Sequence, residues 1–285
     1  MPQIAKILAP VLGTPQDAVS LSAAFAAALP LGAHVEAFFA YPDPRLAIPQ
    51  IGMPLSGETV EAIVEGQMQA VRSTRAEARR TLTRLCSELG AKEVERGCRP
   101  NGFSASFEER IGRRATLVAE RARLSDLVVF PPLRPPSSSD LIETFLGVLT
   151  LCGRPVLVAD GVGGGAFASH PAIAWDGSQS AANAARAALP WLERVRTVDI
   201  LCVDGEEGAP TLQCYLALHG VDAGVRRVAR GEASVGRALA AEAASAGVDL
   251  LAMGGYGHSH LREALLGGVT ADILSLAAMP ILLAH

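Results

Sequence analysis

The chain carries one pattern twice. Ser125-Asp126-Leu127-Val128-Val129-Phe130 returns as Val248-Asp249-Leu250-Leu251-Ala252-Met253, and Arg154-Pro155-Val156-Leu157-Val158-Ala159 returns as Met279-Pro280-Ile281-Leu282-Leu283-Ala284. Near the start of each copy, the run from Lys6 to Thr14 aligns with Ala172 to Ser178. Ala27-Ala28-Leu29-Pro30 aligns with Ala187-Ala188-Leu189-Pro190 after a displacement of about one helical turn. Such self-similarity is a tandem duplication, and whatever architecture is assigned has to be buildable in each half.

Each repeated apolar run is short, rich in Val, Ile and Leu, and followed by a longer Ala-rich helical pattern. That alternation is the signature of βαβ units around a parallel sheet. In the second half it predicts strands near 172–176, 198–203, 224–229, 249–253 and 280–284, with helices near 179–192, 209–219, 233–246 and 268–278. Pro155 and Pro280 open their strands, where a missing N–H costs least. The expected fold is α/β, two tandem open parallel-sheet domains of Rossmann-like, doubly wound type. The halves are expected at 1–160 and 171–285, joined by a Gly-rich linker at 161–170. The first half carries an insertion near 41–81, with a Pro-rich start and a charged helix from about Val60, read as a solvated surface helix.

A chain of 285 residues, 49% apolar, buries a core of that size, and its formal charge of −4 includes no basic block that would track a phosphate backbone. Nucleic acid is therefore not an expected partner. The only lysines are Lys6 and Lys92, which removes Schiff-base and P-loop chemistry from the second half. Five cysteines, none spaced as C-x-x-C, argue against a disulfide framework or a zinc knuckle. A reducing cytoplasm fits. The run after Lys6 is broken by Pro10, Gly13 and Pro15, unlike a secretion signal, and Leu21 to Ala28 is too short to span a bilayer, so no membrane is expected.

The stretch MGGYGHSHLREALLGGVT, Met253 to Thr270, follows a predicted strand and precedes a helix. It lies at the carboxyl end of the sheet, where open α/β sheets bind ligands. Gly254 is expected to turn without steric penalty and Gly257 to let backbone approach a ligand. Gly267 and Gly268 stand before a helix whose free N–H groups, with those of Val269 and the hydroxyls of Ser259 and Thr270, suit phosphate oxygens; His258 lies in the same loop. A carboxylate does not belong beside phosphates. Asp176, with Ala174 two residues before it, is accordingly assigned to the adenosine end.

At these residues the chain resembles the universal stress protein family, whose ATP-binding members carry G-x-x-G-x9-G-[ST] after the fourth strand. Gly254, Gly257 and Gly267 fall on that pattern, and Asp176-Gly177-Ser178 falls on the family's first-strand D-x-S element. Gly268 replaces the hydroxyl residue, which leaves Thr270 as a substitute. The resemblance implies two domains of adenine nucleotide alpha hydrolase-like fold and a stress-response protein that holds ATP, with or without Mg2+, and hydrolyses it slowly if at all. It also implies that the fifth strands, Pro155–Ala159 and Pro280–Ala284, pack as an internal pseudo-dimer. A further homodimer and an unidentified protein partner are compatible with it.

The first half departs from the pattern. Leu12 stands where Asp176 stands, and the glycine loop is replaced by Pro131 to Asp140, rich in proline, which has no N–H for phosphate. This half is not expected to bind nucleotide, and a scaffold in which neither half binds it is the alternative reading. Sharper chemistries fit less well. Gly161 to Ala166 spells a dinucleotide fingerprint, but Pro171 and the next strand leave no room for the helix it needs. Gly257 to Leu261 departs from a nucleophile elbow where Leu261 would crowd the turn. His258 and His260 alone do not make a metal site, and no catalytic residue is assigned.

Overall fold

The computed structural model describes residues 4–47, 56–95, 102–134, 137–160, 167–205, 207–255, 268–276 and 278–285. The first half runs β1 (Lys6–Val11), α1 (Gln16–Ala28), β2 (His34–Tyr41), α2 (Gly57–Leu89), β3 (Lys92–Glu93), β4 (Ser104–Ile111), α3 (Arg114–Ala122), β5 (Leu127–Phe130), α4 (Ser139–Leu146) and β6 (Val156–Val158). The second runs β7 (Pro171–Ala174), α5 (Gln179–Leu192), β8 (Thr197–Val203), α6 (Ala209–Leu218), β9 (Asp222–Val228), α7 (Val235–Ser245), β10 (Leu250–Gly254), α8 (Gly268–Leu276) and β11 (Ile281–Ala284). Every second-half element expected from periodicity is present, with ends within about three residues.

All the strands share one sheet, in the order β3-β4-β2-β1-β5-β6-β11-β10-β7-β8-β9. Neighbours are parallel except β6 and β11, which pair antiparallel through Ile281 with Val158, Leu282 with Leu157 and Leu283 with Val156. The two halves thus meet along their last strands, and outward from that seam β5-β1-β2-β4 repeats as β10-β7-β8-β9, with β3 an added edge in the first half. Strands sandwiched by helices on both faces read as continuous apolar runs, and β5, β6, β7 and β11 are buried at every residue. The seam is also closed on one face by Trp191 of α5, 2% exposed, whose indole N–H donates to the Ala27 carbonyl of α1 at 2.9 Å.

The repeated aspartates have a common task. Asp126 accepts from the backbone N–H groups of Ala5 at 2.9 Å and Lys6 at 3.0 Å, and returns its own N–H to the Lys6 carbonyl. Asp249 accepts from Ser169 at 2.7 Å and His170 at 2.8 Å, and returns its N–H to the His170 carbonyl. Each aspartate therefore locks the entry of its half's first strand onto the fourth.

The inserted segment lengthens α2, which occupies the place of α6 but has 33 residues against 10, and residues 57–77 of it lie on the surface. Ser56 caps it, accepting from the Thr59 N–H at 3.2 Å, and its last turns bury Ala78, Leu82 and Leu85. Of the linker, 161–166 lie outside the described residues. Its end is anchored rather than free: Ala168 is 2% exposed and Phe167 packs edge-on against Trp191 at 5.6 Å.

Candidate functional site

In each half the chain leaves the first strand toward one side of the sheet and returns to build the other, which opens a crevice at the carboxyl ends where those directions diverge. In the second half the diverging strands are β7, bordered by β8, and β10. The β7–β10 register, Ala252 opposite Ile173, brings the end of β10 at Gly254 beside Trp175 and Asp176.

Ala174 ends β7 and is buried at 8% exposure, whereas Asp176 beyond it is exposed. Gly177 turns the chain at φ +76°, and Ser178 caps α5 by accepting from the Ala181 N–H at 3.1 Å. The Asp176 Oδ1 accepts from the Ser178 N–H at 2.9 Å, and its second oxygen has no partner among the described residues. An exposed carboxylate held by its own turn, with one oxygen unbonded among the described residues, can accept from hydroxyl or amino donors.

Gly254 plays a different part from the expected turn. Its φ is not left-handed; a Cβ there would lie 2.5 Å from Ser180 Oγ and 2.7 Å from the Ala181 nitrogen. Glycine is required so that the start of α5 can press against the end of β10. The following Gly255 is tied to the C-terminus, its N–H donating to the Ala284 carbonyl at 2.8 Å.

The helix after β10, α8, begins at Gly268. Gly268 and Val269 are exposed, and nothing among the described residues lies within 4 Å of a Cβ added at Gly268. Thr270 is buried at 4% exposure, so at this helix start the surface is formed by Gly268 and Val269. The helix is held by Gly236 of α7, where a Cβ would meet the Val269 carbonyl at 2.7 Å, and by Asp272, bonded to the α7 capping residue Ser234. Gly236 and Asp272 escape a motif search; the one hint was a glycine inside a helical pattern. Gly257, His258, Ser259 and Gly267, with His260 and Arg262, lie outside the described residues.

The first half has the same turn with its mouth shut. Gly13 takes φ +74°, matching Gly177, but a Cβ there would lie 2.1 Å from the Thr74 carbonyl oxygen of α2. The turn's N–H groups are also taken: Asp17, 2% exposed, accepts from Leu12 at 2.9 Å and Gly13 at 2.7 Å. Burial pushes the Asp17 carboxyl upward, opposed by those N–H bonds and by Arg114. Ala181 occupies the corresponding place in the second half and brings no carboxylate. Among the described residues no cluster of three or more His, Cys, Asp or Glu could hold a metal, and no helix is long and apolar enough to cross a membrane.

Comparison with known proteins agrees with this architecture. Residues 205–285 match the model of the universal stress protein family. A universal stress protein from Archaeoglobus fulgidus DSM 4304 superposes with a TM-score of 0.63, over 99% of this chain and 97% of that one, at 12% identity. A functionally unknown protein from Pseudomonas aeruginosa PAO1 gives 0.55 over 99% and 92%, at 13% identity. At such identities the likeness is one of fold, and no curated protein matches in sequence. Residues 205–285 thus match the universal stress protein family model, and the chain as a whole is similar in fold to a universal stress protein.

Proposed function

We propose that the chain is a cytoplasmic stress-response regulator that holds one adenine nucleotide, ATP with the magnesium it carries, in the second-half crevice. The observation that carries this reading is the contrast between two turns of equal geometry. Gly13 is covered by α2 and its N–H is spent on Asp17, whereas Gly177 is open and followed by no such carboxylate. Asp176 receives the adenosine end, and the start of α8 at Gly268 and Val269 receives phosphate oxygens through its free N–H groups and positive dipole end. Gly257, Ser259 and Gly267 belong to the phosphate side in this reading, Ala174 and His258 border it, and the buried Thr270 is set aside as a contact.

Turnover is slow or absent in this reading. The second half has no lysine, and the Asp176 carboxylate sits at the adenosine end, away from an attacking water. Nucleotide released from denatured, freshly purified protein and counted per chain tests the assignment, with about one expected. Asp176→Ala and Gly257→Val should each abolish retention while leaving the circular dichroism unchanged. A count near zero, with no heat on titrating ATP and magnesium, sinks the nucleotide reading and leaves a scaffold that recruits partners through its long α2.

A further inference from the structure

The seam between the halves is treated differently on the two faces of the sheet. On one face, Trp191 and Phe167 fill it. On the other, α8 stands apart from α3, α4 and the π-helical turn Gly147–Leu151, leaving a groove of about 910 Å³. Ile142, Leu146 and Leu151 form much of one wall, and Ala271 and Leu274 much of the other. Leu151, at the rim, is 85% exposed.

The polar groups of the groove are largely committed elsewhere. Arg113 pairs with Glu143, and Asp272 is bonded to Ser234. The hydroxyls of Thr150, Ser137 and Ser275 donate to the carbonyls of Leu146, Arg134 and Asp272 at 2.7, 2.7 and 2.9 Å. An anion would find no unpaired cation among these residues, Asp272 keeps a single carboxylate bonded only to a hydroxyl, and any charged ligand would lose hydration on entering. Binding there has to come from apolar burial, and the volume lies at the upper end of the range for pockets that take one drug-sized molecule.

We propose that this groove is a second ligand site, distinct from the crevice at Asp176, and that it takes one uncharged, predominantly hydrocarbon molecule per chain. The occupant is bounded by α8, whose opposite end carries Gly268 and Val269, so the site lies against the same helix as the proposed phosphate contacts.

The test uses the full chain and the neutral probe N-phenyl-1-naphthylamine, whose fluorescence rises in apolar surroundings. Saturable binding of one probe per chain is expected, undiminished by excess ATP and magnesium. Ala271→Trp on α8 and Ala119→Trp on α3 fill the groove from opposite walls, and each should weaken the probe at least tenfold. Leu218→Trp, on the distant and exposed end of α6, should not. Two filling variants guard against one that fails to fold, and circular dichroism identifies such a failure. Non-saturable binding, equal affinity in folded filled variants, or displacement by ATP would overturn the proposal. So would dimerisation of the wild type that is lost in the same two variants, since it assigns the groove to a second copy.

Discussion

Glycine at two positions of the loop-flanking stretch means two different things, and each meaning predicts its own mutant. At Gly254 an added methyl collides with backbone, 2.7 Å from the Ala181 nitrogen, so Gly254→Ala forces α5 away from β10. Overpacking of that kind costs about 1–3 kcal/mol, to be read as a lower midpoint in thermal or denaturant unfolding. At Gly268 the added group meets open space among the described residues, so Gly268→Ser should leave the midpoint unchanged and supply the hydroxyl of the family pattern, holding or tightening ATP retention. Equal destabilisation by the two would contradict the packing described. Sequence alone marked Gly254 for notice but assigned it a turn, because a glycine demanded by a neighbour 74 residues earlier looks no different from one demanded by its own φ. Asp17 was missed for a related reason. Its partners are backbone N–H groups, which no residue pattern spells.

Elements were far more legible than these contacts. The alternation of short aliphatic runs with Ala-rich stretches placed β8, α5 and α7 because burial on both sheet faces and helical periodicity act over whole segments. What periodicity does not carry is where a helix stops serving the core. The charged surface helix expected from about Val60 continues past the expected end of the insertion near 81 into the buried turns at Leu82 and Leu85, one helix of 33 residues. The repeated aspartates show the opposite case, a pattern visible in sequence whose purpose emerged only from hydrogen bonding. Asp249→Ala removes two charge-assisted bonds to the entry of β7 and should lower stability by about 2 kcal/mol, with Asn at the same position recovering part of it. Loss of the strand entry in Asp249→Ala would appear as faster amide exchange at Ser169 and His170, while the corresponding Ala5 and Lys6, held by Asp126, stay protected.

For the molecule as a whole, the seam decides behaviour. Continuous pairing from β3 to β9, with Trp191 bonded into the other half, predicts one cooperative thermal transition rather than two. Intrinsic fluorescence and far-ultraviolet dichroism should therefore report the same midpoint, and separated midpoints would mean that the halves melt independently. The β6–β11 pairing has a further consequence in mass-action terms. Two separate chains meeting along such strands would dissociate on dilution and expose their apolar edges. Here the partner strands belong to one polypeptide, at an effective concentration set by the intervening segment and not by the amount of protein made. The paired strands persist at any dilution, and under the function proposed above the occupancy of the second-half crevice would follow nucleotide level, independent of how many copies the cell contains.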